Sequence, residues 1–284
     1  MIPERQIEES VVLADARRRA VSSLLPVLTH RLAGYALAQV TLGESGATVW
    51  RCAAANTGTL YLKTAPLAAA LDLDGERARL VWLKERGQPV PAVRDYGRDD
   101  VVEWLLVDEV DGVVASDPSW TAHAHDVAIA LGSGLARLHR SGVRNCPFDQ
   151  RVAAQVDAAR RRTQAGLVRE DEFDESRLGH SPVELLDEVA RMQPGAEDLV
   201  LSHGDFCLPN ILLRRSSDHI IEMAGVIDCA RAGVADRHQD LALAIRSIRY
   251  NFGERWVASF LEAYGMPEPD AAKLEFFMLL DEFF

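Results

Sequence analysis

The sequence predicts an α+β fold of two lobes, a small antiparallel sheet with one main helix followed by a larger, mostly helical part. Three observations carry this. Short alternating or apolar runs separated by turn compositions fill the segment from Gly34 to Val110. Helical periodicity dominates beyond Gly112. In that second part strong strand signals occur only in LVLSH, NILL and AGVID, all within or beside the polar stretch from His203 to Asp228. Strands first and helices later place the lobe boundary near Asp111 and Gly112, with a cleft expected between the lobes.

Taken in order, Ile7, Val11, Ala14, Val21 and Leu25 share one helical face, which predicts an amphipathic leading helix over roughly residues 1–30. ALAQVTL, ATVWRC and LYLKT then read as three antiparallel strands, broken by GESG and AANTG. A helix is expected from about Asp74 to Glu85, closed by Gly87 and Pro89. Strands near VPAVRDYG and EWLLVDEV complete a first lobe over 1–107, and 108–112 is the expected linker. From 113 to 284, helices are expected over Thr121 to His139, Arg151 to Gln164, Pro182 to Met192 and in three segments after Ala235. No internal repeat or low-complexity segment is present.

Composition narrows the classes of function. The 284 residues suffice for a large core without staples. Charged residues make up 26% and hydrophobic ones 48%, ordinary for a soluble globular chain, and no apolar run reaches the ~18 residues of a membrane span. A net charge of −12, from 43 acidic and 31 basic residues, disfavours nucleic acid and fits a cationic ligand, although solubility alone also explains it. Cys52, Cys146, Cys207 and Cys229 form no CxxC pair and no Cys/His metal spacing. With the polar start MIPERQIEES, these features lead us to expect a cytoplasmic protein with neither membrane nor nucleic-acid partner.

The chemistry concentrates between His203 and Asp228. HGDFCLPN places Asp205 five residues before Asn210, the spacing at which the phosphoryl-transfer template carries a base and a magnesium ligand. The runs NILL and AGVI, with polar RRSSDH between them, read as a hairpin that returns Asp228 beside the first two. Asp205 would orient an acceptor hydroxyl and take its proton, while Asn210 and Asp228 would offer oxygens to magnesium. A capping turn accounts equally for a bare D-x-x-x-x-N; the preceding HGD and the following strand pair weigh against it.

Other positions are weaker by themselves. Lys63 ends the strand run LYLK, where a lysine can meet nucleotide phosphates or simply be solvated, and Glu76 can pair with it or complement a helix dipole. The GESG loop, Gly43 to Gly46 with Ser45 inside it, can lay amides over phosphates or form a plain turn. Asp240 is read first as a helix N-cap, with support of the catalytic loop as the alternative. His203 and His238 receive no catalytic role, and EDEFDE, Glu170 to Glu175, reads as a solvated acidic loop or a wall for a polycation.

HGDFCLPNILL, GVIDCARAGVADRHQDLALA, LLDEFF, LYLKT, ERARLVWL and WLLVDEVDG together resemble the aminoglycoside phosphotransferases, in particular the 3'-phosphotransferase group acting on kanamycin and neomycin. The resemblance covers nearly all of the chain beyond the leading helix. It implies a protein-kinase-like two-lobed fold, ATP and magnesium, and phosphorylation of an aminoglycoside hydroxyl. It makes Asp205 the catalytic aspartate, Asn210 and Asp228 the magnesium ligands, and Lys63 with Glu76 the phosphate-positioning pair. It puts Asp108 and Val110 against adenine through backbone atoms, and Arg231 of the ID-x-x-R-x-G segment near the phosphate and substrate. It implies antibiotic contacts at Glu172, Glu175, Glu282 and Phe284, including the terminal carboxylate. Tyr250 and Asn251 stand where kanamycin-directed relatives are acidic, so a 3''-type streptomycin kinase, or a kinase for another amino sugar or amino alcohol, stays open. A kinase-like binding protein without turnover is a third reading, opposed by the complete set of Asp205, Asn210, Asp228 and Lys63.

Overall fold

A computed structural model of the chain describes residues 31–40, 47–55, 58–69 and 71–284. The expected leading helix and the GESG loop with Ser45 lie outside the described residues. The chain divides into two compact units, Met1–Val110 and Asp111–Phe284.

Among the described residues of the first unit, five strands form an antiparallel sheet in the order β1-β2-β3-β5-β4: β1 (Ala36–Val40), β2 (Thr48–Ala54), β3 (Gly58–Pro66), β4 (Val93–Arg98) and β5 (Val102–Asp108). The middle strand β3 pairs Lys63 with Val49 on one side and with Leu105 on the other. Side chains alternate along a strand, so Leu62 and Lys63 face opposite sides. Leu62 joins Cys52, Val102, Trp104, Leu106 and Leu32 in an apolar cluster. Helix α1 (Leu73–Glu85) buries Leu73, Glu76, Leu80 and Leu83, positions three or four apart on one stripe. Its N-cap Asp72 accepts a hydrogen bond from the Gly75 amide at 2.8 Å. Its end is closed by the Gly87 amide on the Lys84 carbonyl, at a backbone φ of +72° that suits glycine.

The second unit contains helices α2 (Ala124–His139), α3 (Val152–Gln164), α4 (Pro182–Met192), α5 (Arg237–Phe252), α6 (Val257–Tyr264) and α7 (Ala271–Asp281). The Ser181–Glu184 capping box and a proline in the first turn start α4 where the sequence places it. Helix α2 packs against α6, and Gly132 permits the approach: a Cβ there would lie 2.3 Å from the Phe260 carbonyl oxygen. Helices α3, α4 and α7 share a core that includes Val156, Leu185, Val189, Phe276 and Phe277, completed by Phe283.

Two small sheets sit in this helical framework. Strands β8 (Ile211–Arg215) and β9 (Ile221–Val226) form the hairpin expected from NILL and AGVI, and β6 (Val113–Val114) adds to its edge. Strand β7 (Leu199–Ser202) pairs with β10 (Gly233–Asp236). Strands β6 and β10 lie outside the strong strand signals LVLSH, NILL and AGVID. Two and four residues long, they have no periodicity of their own to read, and partner pairing defines them. All four cysteines are free.

Candidate active site

The HGD segment leaves β7 and turns sharply at Gly204, whose φ is +84°. A Cβ there would lie 2.2 Å from the Arg231 carbonyl oxygen, so both conformation and space call for glycine. His203 rivets this turn. Its Nε2 donates to the Ile227 carbonyl at 3.0 Å and its Nδ1 accepts from the Asp205 amide at 3.3 Å. With both ring nitrogens occupied, the structural reading of His203 holds.

Helix α5 grips the same loop from beneath. Gln239 donates to the Gly204 carbonyl at 2.9 Å, and Ser247 Oγ accepts from the Leu208 amide at 3.0 Å. Asp240, fully buried, accepts from the amides of His203 and Gly204 at 2.8 and 2.9 Å. The N-cap reading of Asp240 is thereby corrected. The cap of α5 is Asp236, whose carboxylate accepts from the His238 amide, and Asp240 lies one turn inside the helix. Burial alone would raise the Asp240 pKa, but the hydrogen bonds from His139 and from the His203 amide hold it below the usual carboxylate range.

On this support, Asp205, Asn210 and Asp228 are brought together. Asn210 Nδ2 donates to the Asp205 carboxylate at 2.8 Å and to its carbonyl at 3.1 Å. The Asn210 carbonyl accepts from the Ile227 amide at 2.9 Å, tying the loop to the residue before Asp228. Asp228 has a φ of +58°, a left-handed conformation uncommon for a residue with a side chain and frequent at functional turns. Burial raises the Asp205 pKa. Arg231 opposes that rise, while the charges of Asp281 and Asp228 reinforce it.

Arg231 is itself held by Asp281, its Nη1 donating at 2.7 Å, and Arg246 donates to the other Asp281 oxygen. Burial would raise the Asp281 pKa, but the two guanidinium groups bring it below its ordinary value. Sequence reasoning missed Asp281 and Arg246. The LLDEFF ending supplied the signal but was read only for Glu282 and Phe284, and nothing local links residue 281 to residues 231 and 246.

The other expected contacts are distributed as follows. Lys63 Nζ lies 2.9 Å from the Glu76 carboxylate, joining β3 to α1 within the first unit. The Asp108 amide already donates to the Ala92 carbonyl at 2.9 Å, so a backbone contact there falls to its own carbonyl; Val110 ends the first unit. Glu172 pairs with Arg169, and Glu175 is exposed on the same loop, which buried Phe173 pins to the core of the second unit. Glu282 is only 4% exposed in its side chain and accepts from Arg177 and from the Asp174 amide, so it anchors the acidic loop. The Phe284 ring lies 4.6 Å below the Arg231 guanidinium. Tyr250 is 90% exposed, and Asn251 donates back to the Ser247 carbonyl of its own helix.

The chain belongs to the phosphotransferase enzyme family, whose model matches residues 37–277. It is 42% identical over 255 residues to an aminoglycoside 3'-phosphotransferase of Streptomyces fradiae, covering 86% of this chain and 94% of that one. It is 39% identical over 259 residues to a streptomycin 3''-kinase of Streptomyces griseus, covering 85% and 90%. Among solved structures it is similar to an aminoglycoside 3'-phosphotransferase of type VIII, with a TM-score of 0.82, 38% identity and coverage of 93% and 98%. An aminoglycoside phosphotransferase from Streptomyces rimosus in complex with ADP and streptomycin is also similar, with a TM-score of 0.77, 29% identity and the same coverage.

Proposed function

We propose that this chain transfers the γ-phosphoryl group of ATP to the 3'-hydroxyl of an aminoglycoside, and so confers resistance to it. The observation that carries the site assignment is the 2.8 Å hydrogen bond from Asn210 Nδ2 to Asp205, beside the turn that presents Asp228. Asp205 is the residue assigned to orient the acceptor hydroxyl and accept its proton, since a carboxylate fixed by one amide retains a free lone pair for a second donor. Arg231 opposes the rise that burial imposes on the pKa of that carboxylate.

Asn210 Oδ1 and the Asp228 carboxylate would hold magnesium. Their chemistry fits, because this hard cation takes one or two protein oxygens and completes its shell from phosphate and water. Among the described residues no cluster of three His, Cys, Asp or Glu side chains forms a closed metal cage. The chemistry supplied by bound magnesium is neutralisation of charge on the phosphates. Lys63, oriented by Glu76, would meet the nucleotide phosphates from the first unit, with Ser45 and the backbone of Asp108 and Val110 as further nucleotide contacts.

On the acceptor side, the acidic loop with Glu172 and Glu175 would meet ammonium groups, with Phe284 as a further contact and Glu282 acting through the loop it anchors. Arg231 would stand near the transferred phosphoryl group. A cytoplasmic setting, where ATP is available, suits this reaction. Among the described residues no helix is long and apolar enough to cross a membrane.

A second acceptor, the 3''-hydroxyl of streptomycin, is favoured by exposed Tyr250, which with Asn251 offers no carboxylate to an amine on α5. The deciding experiment measures ADP release with kanamycin, neomycin, streptomycin, hygromycin and simple amino sugars, followed by NMR assignment of the phosphorylated hydroxyl. ADP release with neomycin or kanamycin and phosphate on the 3'-oxygen supports the first reading; turnover of streptomycin alone supports the second.

A further inference from the structure

A buried polar chain runs from helix α6 to the HGD turn, through residues that the phosphoryl-transfer chemistry does not use. Arg237 Nη1 donates to the Tyr264 hydroxyl at 3.1 Å, and that hydroxyl lies 2.7 Å from His139 Nδ1. His139 Nε2 lies 2.9 Å from Asp240 Oδ2, the same oxygen that accepts from the His203 amide. An ionised carboxylate only accepts, so Nε2 carries the proton and Nδ1 is left to accept from Tyr264. Every group in the chain is then satisfied. The His139 side chain is 3% exposed and that of Asp240 is fully buried, so no solvent can replace either partner.

Nothing about packing alone requires a histidine here. It is the last residue of α2, a helix whose other buried positions are alanine, glycine, valine and leucine. An apolar side chain would fill the space and leave Asp240 Oδ2 with the loop amide as its remaining donor among these. The carboxylate would then be held by the two loop amides alone, with no donor from α2 to fix it, and those amides set Gly204, one residue before Asp205.

We infer that His139 is a positioning residue: through Asp240 it locks the His203 and Gly204 amides and so sets the aim of the Asp205 carboxylate, while Tyr264 holds the imidazole ring. The inference rests on the assignment of Asp205 as the residue that orients the acceptor hydroxyl. It predicts that His139 acts on turnover and not on binding, because a small misplacement of a reacting group costs up to ~100-fold in rate.

The test compares His139→Leu and His139→Gln in the full chain, since the glutamine Nε2 can replace the donor to Asp240. The first readout is amide hydrogen exchange by NMR, which needs no substrate. In His139→Leu the His203 and Gly204 amides should exchange about tenfold faster or more, as expected for loss of a hydrogen bond to a charged group, while the β7 amides of Val200 and Leu201 keep their protection. His139→Gln should restore most of it. The second readout is steady-state kinetics with an aminoglycoside: kcat should fall about tenfold or more in His139→Leu with KM for both substrates little changed, and recover in the glutamine variant.

Uniform acceleration across β7 and the loop, or unchanged exchange at His203 and Gly204, overturns the inference, as does a loss that glutamine fails to rescue. If wild-type protein turns over no aminoglycoside, the functional proposal falls, and the exchange data still decide whether His139 locks the loop.

Discussion

Asn210 Nδ2 donates to the Asp205 carboxylate at 2.8 Å, which fixes the amide so that its Oδ1 points away from that carboxylate. One side chain thereby holds the proposed base and presents an oxygen suited to a metal. Asn210→Asp removes the donor and places two carboxylates in contact. It should raise the Asp205 pKa further and lower kcat by about 10²-fold or more. The pH–rate profile checks this, through an acidic limb displaced to higher pH.

Gly204→Ala should fail more severely than an ordinary core substitution. The new methyl would meet the Arg231 carbonyl oxygen at 2.2 Å in a backbone conformation that costs ~1–2 kcal/mol for an L side chain. Loss of activity together with a lowered melting temperature, measured by circular dichroism, is expected.

Lys63→Met should weaken nucleotide use and destabilise the first unit. Glu76 is buried and would lose the ammonium at 2.9 Å, and breaking such a pair from one side costs ~3–5 kcal/mol when both groups are buried; Lys63 is partly exposed, so the lower end applies. Denaturant titration should show the double variant Lys63→Met with Glu76→Gln recovering part of the stability but none of the ATP turnover.

Acid should unfold the second unit through Asp236, Asp240 and Asp281. Burial pushes each pKa up, but Asp236 is bonded by His238 and Lys273, Asp240 by His139 and the loop, and Asp281 by Arg231 and Arg246, so all three end below their ordinary values. A depressed folded-state pKa contributes stability that is complete above the unfolded value of ~3.9 and is lost as pH falls through the folded value. Stability should therefore hold down to about pH 4 and drop below it. In denaturant titrations at pH 2 to 4, Asp236→Asn should show a shallower drop than wild type, from a lower starting point.

The parts legible in the sequence share one property: their partners lie close along the chain, or the local pattern is long. HGD with Asn210 spans a single turn, the β8–β9 hairpin returns Asp228 within one loop, and Ser181 with Glu184 starts α4 within four residues. Lys63 and Glu76 are thirteen apart, yet the strand–helix order was enough to suggest the pair. The supporting layer was not legible. Asp240 reaches back to residues 203, 204 and 139, Ser247 reaches Leu208, and Asp281 reaches Arg231, and no local periodicity encodes such distances. Asp240 misled for a physical reason: an aspartate near a helix start is usually a cap, and here Asp236 takes that place. Glu282, which the resemblance put in direct contact with the antibiotic, is instead enclosed by Arg177 and the Asp174 amide.

The most direct test of the central claim is the mass of an aminoglycoside incubated with ATP, magnesium and either wild-type protein or Asp205→Ala, with nucleotide affinity measured in parallel by calorimetry. The account predicts that wild type adds one phosphoryl group to the antibiotic, and that Asp205→Ala loses about 10²–10⁴-fold in rate while still binding nucleotide. Equal phosphorylation by the two proteins would contradict it.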